Sequence, residues 1–357
     1  MVISKTDQVS RLLARAAQFD PDEPLLAPST HLAHPRYPAP IQEEASPFEN
    51  LEGLILNLKH VIFTAIKHPT QIDLPARIQK IALAVQDVCK QDMASALAAP
   101  YVDANNPYIV VHQMMGAVLT ELIAQGKELD QAQRLSLVCA ALTRDLGQIP
   151  IQSEMDMHKG ALPTDLLQRM QQHPQRSVEL LERAGVKDKD WLEAVYGHHE
   201  RLDGSGYASA YVENQISLGA KILAIADTYG AMVKEQAYRT YAHNAQNALK
   251  EIYQKRGVQF DGEIARILIT KIGLFPPGTL VKLKCGEIAV IKSPTVKIDD
   301  ANVYSIYGKT GMILAAPIHR ETAKLGYEIT GLVPYSECRA ATVVIKRVWT
   351  NKLRHSQ

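Results

Sequence analysis

From residue 107 to 273 the sequence reads as helix almost without interruption, and this feature limits the fold more than any other. Apolar side chains recur there at three- and four-residue spacing, the mark of helix faces that must pack against one another. The reading breaks at "GQIPIQSEMDMHKGALP" (147–163) and at the glycine loop of "GHHERLDGSGYASA" (197–210). Helical periodicity also precedes the block, in "LEGLILNLKHVIFTAIK" (51–67) and in "PARIQKIALAVQDVCKQDMASALAA", where Pro75 suits a first turn. After "KIGLFPPGTLV" the pattern changes to short apolar–polar alternations separated by Gly, Pro, Asn and Asp. Those predict a small antiparallel β module with a hairpin turn near Gly286.

The expected fold class is therefore mainly α, a helical bundle preceded by an N-terminal helical region and followed by the β module. Residues 1–50 are expected to hold a short amphipathic helix (3–18) and a linker with seven prolines between 21 and 47. The helical region then covers 51–106, the bundle 107–274, and the β module with its tail 275–357.

Composition narrows the function classes. Lys and Arg total 39 against 38 Asp and Glu, a net charge of +1. Nothing in that balance recommends a nucleic-acid-coating protein. The four cysteines, Cys89, Cys139, Cys285 and Cys338, are widely spaced and read as reduced thiols, with a disulfide framework or zinc knuckle as the alternative. No apolar run reaches the ~18 residues of a membrane span, and "MVISKTDQVSRLLARAAQF" lacks a signal-peptide core. The expected location is the cytoplasm.

Polar groups fall where periodicity predicts burial. Asp145 lies on the stripe of Leu135, Val138, Cys139, Leu142 and Leu146, and Asp227 on the face of Ala220, Leu223, Ala224, Gly230 and Ala231. His112 shares a face with Ile109, Met115, Gly116 and Leu119. A buried carboxylate needs a cation or donors nearby, or it protonates. Any one of these residues alone reads as a cap, an ion-pair partner or a satisfied core histidine, and His173 as a helix cap. Together, His112, Asp145, His173, His198, His199 and Asp227 form a His/Asp set on successive helices, which is how bundles build metal sites. The neighbours His198 and His199 can converge on one object only where a helix gives way to irregular backbone. Gly204 and Gly206 supply that irregularity.

The segments "HHERLDGSGY", "LGAKILAIADTYGAM", "AYR" (237–239), "GVQFDGEIARIL" and "FPPGTLVKLKCGEIAVI" resemble the HD-GYP family of bacterial cyclic di-GMP phosphodiesterases over about 107–293. The resemblance implies an HD-type helical bundle, a centre of two or sometimes three metals, commonly iron or manganese, and hydrolysis of cyclic di-GMP. It assigns Asp145, His173, His198, His199 and Asp227 to metal ligation, with Asp145 also the catalytic Asp of the HD pair. His112 matches a further histidine of three-metal members, where Tyr108 replaces a glutamate. Asp203, Gly204, Gly206, Tyr207, Tyr238 and Arg239 fall on the ligand-binding stretch.

The sequence departs from that pattern at several positions. "TRDLGQ" stands where the family reads "HDIGK", so Arg144 replaces the histidine and Gln148 the lysine. A guanidinium stays protonated and offers no lone pair, and a neutral amide forfeits charge stabilisation of phosphate. Ala208 replaces the proline of GYP and is expected to leave the loop less rigid. Gly230 and Gln236 replace an Asp and an Arg. The expectation is a degenerate member, impaired in catalysis, binding one divalent ion or none. It would act by binding cyclic di-GMP or a signalling protein such as a diguanylate cyclase. The alternative is an active metal-dependent phosphodiesterase with a reduced ligand set. Arg144 is expected to pair with Asp145, Asp227 or both, and any single ion to sit chiefly on His173, His198, His199 and Asp227.

Overall fold

The computed structural model describes residues 45–158, 160–234, 245–295 and 301–350. The expected helix at 3–18, the proline linker as far as residue 44, and Gln236, Tyr238 and Arg239 lie outside the described residues.

Helix α1 (Pro47–Lys67) begins four residues before the apolar periodicity does. A capping box sets its start: the Ser46 hydroxyl accepts from Glu49 N–H, and the Glu49 carboxylate accepts from Ser46 N–H at 2.9 Å. The helical stretch from Pro75 onward divides into α2 (Leu74–Gln91) and α3 (Met93–Val102). Asp92 turns extended between them and accepts from Ser95 N–H at 3.1 Å, capping α3.

The bundle is built around α4 (Tyr108–Gly126), in which every residue from Ile109 to Ala124 is buried. A helix buried on every side belongs at a centre rather than on a surface. Around it stand α5 (Gln131–Thr143), α8 (His173–Arg183), α9 (Lys189–Gly197) and α10 (Leu218–Val233). The expected break at 147–163 contains a further short helix, α6 (Ile149–Met157), before α7 (Thr164–Gln171). Helices α11 (Ala245–Gln254) and α12 (Gly262–Ile272) complete the block.

The β module is a five-stranded antiparallel sheet of order β4-β3-β2-β1-β5. Its strands are β1 (Leu280–Leu283), β2 (Ile288–Ile291), β3 (Asn302–Tyr307), β4 (Ile313–Glu321) and β5 (Ile329–Leu332). Gly286 takes φ +91° in the β1–β2 hairpin, a conformation that favours glycine. Side chains alternate between two buried faces: Ala289 and Ile291 join a small cluster within the module, while Val290 faces the main core. That main core runs continuously from Phe48 to Trp349. A short helix, α13 (Thr342–Lys346), carries the chain back to α1, where Trp349 stacks on Phe48 at 5.5 Å and Lys346 pairs with Glu52. The N-terminal helices and the bundle thus share one hydrophobic interior. Among the described residues no helix is long and apolar enough to cross a membrane.

Candidate metal centre and pocket

Five elements deliver side chains to one buried point. His112 comes from the second turn of α4, and Asp227 from α10, which crosses it. Arg144 and Asp145 follow the last turn of α5, where the chain leaves the helix at Asp145 with φ −103° and ψ 16°. His173 opens α8; it makes no cap bond to that helix, so the capping role open to it in the sequence is not the one it plays. His198 is the C-cap of α9, and the chain turns away immediately beyond it. That exit lets His199 swing its ring to 4.1 Å from that of His198.

His173 and His198 are fixed in matching tautomers by their backbone contacts. Nδ1–H of His173 donates to Met170 C=O at 2.7 Å, and Nδ1–H of His198 to Val195 C=O at 2.6 Å. Each Nε2 then presents a lone pair. The two Nε2 atoms lie 3.2 Å apart, and Asp145 Oδ1 is 3.3 Å from the first and 3.7 Å from the second. With both rings neutral, three electron-pair donors converge here. A point equidistant from all three is about 2.0 Å from each, the length of a metal–nitrogen or metal–oxygen bond. The donor set therefore fits a divalent ion. His199 adds a third imidazole, with its ring 4.9 Å from that of His173.

A second candidate group, His112, Asp145 and Asp227, adjoins the first. Arg144 lies among these residues, 1% exposed. Its Nε donates to Asp227 Oδ1 at 3.1 Å and lies 3.4 Å from Asp145 Oδ2, so the guanidinium pairs with both carboxylates. The Asp145 contact is an ion pair without hydrogen-bond alignment, which leaves Oδ2 with no hydrogen-bond partner among the described residues. Nη1 donates to Ala141 C=O at 2.7 Å and Nη2 to His112 C=O at 3.2 Å. Asp227 Oδ1 also meets His112 Nε2 at 2.8 Å.

Electrostatics follow from this packing. Burial alone would raise the carboxyls of Asp145 and Asp227, but Arg144 and the surrounding histidines overcome it and hold both well below the usual carboxylate range. Burial pushes His198 down and, aided by the neighbouring His198, pushes His199 well down, so both rings favour the neutral, ligating form. Burial would lower Arg144, yet Asp145 and Asp227 raise it instead.

The centre opens onto a pocket of about 330 Å³. Its floor is Asp145, His112, His199 and Asp227; one wall is apolar, with Met155, Leu162, Met170 and Met232. Tyr108 stacks on His112 at 5.1 Å and Tyr207 on His199 at 4.4 Å, so flat aromatic faces frame the mouth. Arg201 brings a cation to the rim, held by Thr228 Oγ1 at 3.3 Å and by the Phe260 ring. A wider opening of about 420 Å³ lies along the outer face of α1, from Leu56 to His68, and gathers no ligand cluster.

Of the expected ligand-binding residues, Tyr207 lines the pocket. Asp203 is exposed and accepts from Ser205 N–H and Oγ–H, organising the turn in which Gly204 takes φ +76°. Gly206 packs so closely that a Cβ there would lie 2.5 Å from Glu200 Cα. A carboxylate ties the loop down: buried Glu200 accepts from Ser209 N–H at 2.7 Å and Tyr211 N–H at 2.9 Å. Immediately before them Ala208 adopts φ +99°, which the proline ring cannot reach. Sequence reasoning missed Glu200, Arg201, Thr228 and the methionine wall. Glu200 and Arg201 were signalled by their place in "HHER"; the methionines carried no signal.

Residues 96–264 match the model of the HD domain. The chain is 26% identical over 187 residues to a cyclic di-GMP phosphodiesterase of Pseudomonas aeruginosa, covering 52% of this chain and 45% of that protein. It is 30% identical over 175 residues to a 3'3'-cGAMP-specific phosphodiesterase of Vibrio cholerae, covering 49% and 38%. The chain spans about half or less of the length of these curated relatives. Its fold is similar to that of an HDGYP-type protein, Bd1817, from Bdellovibrio bacteriovorus, at a TM-score of 0.52 and 14% identity over 64% of this chain and 73% of the other. Residues 96–264 are thus similar to the HD domain, and the relatives that share this stretch are cyclic dinucleotide phosphodiesterases.

Proposed function

We propose that this protein serves cyclic dinucleotide signalling by binding, and that hydrolysis by the HD-GYP mechanism is lost or much impaired. The observation that carries this reading is Arg144. It stands at the histidine of the HD pair, cannot ligate a metal, and engages Asp227 and Asp145, two of the expected ligands. Gln148 supports the same reading, because its amide donates to Gln152 at 2.8 Å and carries no charge for a phosphate.

The parts that bind remain in place. Arg201 offers a cation to a phosphate, and Tyr207 and Tyr108 offer faces to a base. The names of the relatives support a cyclic dinucleotide, cyclic di-GMP or 3'3'-cGAMP, as the ligand class. A divalent ion such as iron or manganese, when bound, supplies charge neutralisation and an acidified water. In this chain His173, His198, His199 and Asp145 would hold it. A diguanylate cyclase or another signalling protein is the partner class for a binding role.

The lone-pair convergence of His173, His198 and Asp145 favours a second reading, an active phosphodiesterase with a reduced ligand set. One experiment separates them. The full chain, loaded with Mn(II), is titrated calorimetrically with cyclic di-GMP and assayed in parallel by chromatography for the linear dinucleotide. Binding with turnover at least about a hundredfold below that of an intact HD-GYP enzyme supports the binding role. Turnover at a comparable rate installs the enzyme, and absence of binding removes the nucleotide from the reading.

A further inference from the structure

We propose that the guanidinium of Arg144 is this centre's own second cation, so that the chain holds a single metal ion, on His173, His198 and Asp145. The proposal rests on the reading that the centre binds metal, and is independent of which nucleotide, if any, the pocket takes.

The guanidinium is built into place rather than merely adjacent. It donates to one carboxylate and to two backbone carbonyls, those of Ala141 and His112, from three of its nitrogens. Such an anchored, buried fork is not an arm that swings aside for an ion. The helix beside it is also cut to fit. A Cβ on Gly116 would lie 2.4 Å from Nη1 and 2.9 Å from Cζ, so the guanidinium rests against bare backbone of α4. Any side chain at 116 would force it to move.

His112 shows that the second group has changed chemistry. Its Nε2 lies 2.8 Å from Asp227 Oδ1, and only a proton on that nitrogen makes the contact favourable. The other ring nitrogen, Nδ1, has no hydrogen-bond partner among the described residues and faces Gly230, whose added Cβ would be 3.2 Å away. No described residue draws the proton to Nδ1 and frees Nε2 as a ligand. Asp227 Oδ1 receives both this bond and that of Arg144 Nε. Asp227 Oδ1 is thus taken up by hydrogens of the chain itself, while Nε2 of neutral His173 and His198 face one another and Asp145 Oδ1.

Charge points the same way. Two carboxylates, one guanidinium and one dication leave a small positive residue in the buried centre. A second dication would add two more charges within a few ångströms of a permanent cation.

The test counts ions on the full chain. Wild type and Arg144→His are titrated with Mn(II), and stoichiometry is read by native mass spectrometry with electron paramagnetic resonance in parallel. Wild type is expected to bind one ion, giving the hyperfine signal of isolated Mn(II). Arg144→His is expected to take up a second, tightened at least about a hundredfold, with an exchange-coupled signal. Two ions on wild type, or none at saturating Mn(II), overturn the proposal. Arg144→His remaining at one ion overturns the role given to Arg144. If that variant does not fold, the wild-type count decides alone. Cyclic di-GMP titrated into the same samples keeps the two readings apart: one ion without nucleotide binding removes the signalling ligand and leaves the single-ion centre standing.

Discussion

His173 Nε2 and His198 Nε2 face each other across 3.2 Å, each with its Nδ1–H already given to a backbone carbonyl. Neither ring can turn to relieve the repulsion without losing a buried hydrogen bond. A cation between them converts that repulsion into ligation. Chelation should therefore lower the stability of the wild-type protein, by about 2.7 kcal/mol relative to metal at a hundred times its dissociation constant. His198→Ala should be insensitive to chelator. Urea unfolding with and without EDTA measures both, and equal chelator sensitivity in the two proteins would place the ion elsewhere.

The metal-free protein should lose stability on mild acidification. His198 and His199 are held down by burial, so the unfolded chain binds protons that the folded chain refuses. Their contribution is fully present above the unfolded histidine value, about 6.5, and is lost as pH falls below it. Asp145 and Asp227 are depressed as well, and their contribution persists until much stronger acid. Thermal melts in EDTA should be level between about pH 8 and 7 and fall below about 6.5. A melting temperature that rises over the lower interval would contradict the buried, neutral histidines.

Arg144 should matter to folding before it matters to chemistry. Arg144→Met keeps much of the volume and leaves Asp145 and Asp227 buried without their counter-ion. Removing one partner of a buried pair costs about 3–5 kcal/mol. Denaturant unfolding of the metal-free variant checks this; a loss below about 1 kcal/mol would mean that the carboxylates are compensated by something other than Arg144.

The glycine loop should reject the residue that its relatives carry. Ala208 has φ +99°, so Ala208→Pro must rebuild the backbone just ahead of the two N–H groups that Glu200 accepts. Glu200→Gln keeps the shape and weakens both bonds by removing the charge. Both variants should be cut faster within 204–211 by a protease under native conditions. A slower cut in Ala208→Pro would restore the expectation that proline stiffens this loop.

Much of this centre was legible in the sequence because periodicity fixes which residues face inward. Asp145, Asp227 and His112 each share a stripe with apolar neighbours, and the helices place them together. The pairing of Arg144 with both carboxylates was legible for the same reason: two inward charges demand a third. The preferred ligand set was less so. Asp227 was expected among the chief ligands of one ion, yet its Oδ1 is engaged by Arg144 and His112, while Asp145 Oδ1 meets the histidine pair. Stripe membership gives the face of a residue and not which lone pair points where. The start of α1 at Pro47, the short helix within 147–163 and the notch at Gly116 escaped for a related reason, since caps and close approaches depend on neighbours distant in sequence.

Restoring the two most evident departures should separate binding from chemistry. Arg144→His removes the buried cation and supplies an imidazole beside Asp145 and Asp227; Gln148→Lys places an ammonium at the pocket, where Gln148 now bonds Gln152. Metal uptake should recover first, because ligation needs only converging lone pairs. Turnover should recover less. His112 still has its proton directed at Asp227, Gly230 offers its Nδ1 no acceptor, and Ala208 keeps the loop in its present course. Substrate alignment is the stricter demand, since about 1 Å of misplacement can cost a hundredfold in rate. Wild type and the double variant are compared at matched manganese loading, with cyclic di-GMP as substrate. The expected result is more metal in the variant and a rate gain that lags behind it. Equal rates in both proteins would mean that Arg144 does not disable the centre, and the active phosphodiesterase would then be the better account of this fold.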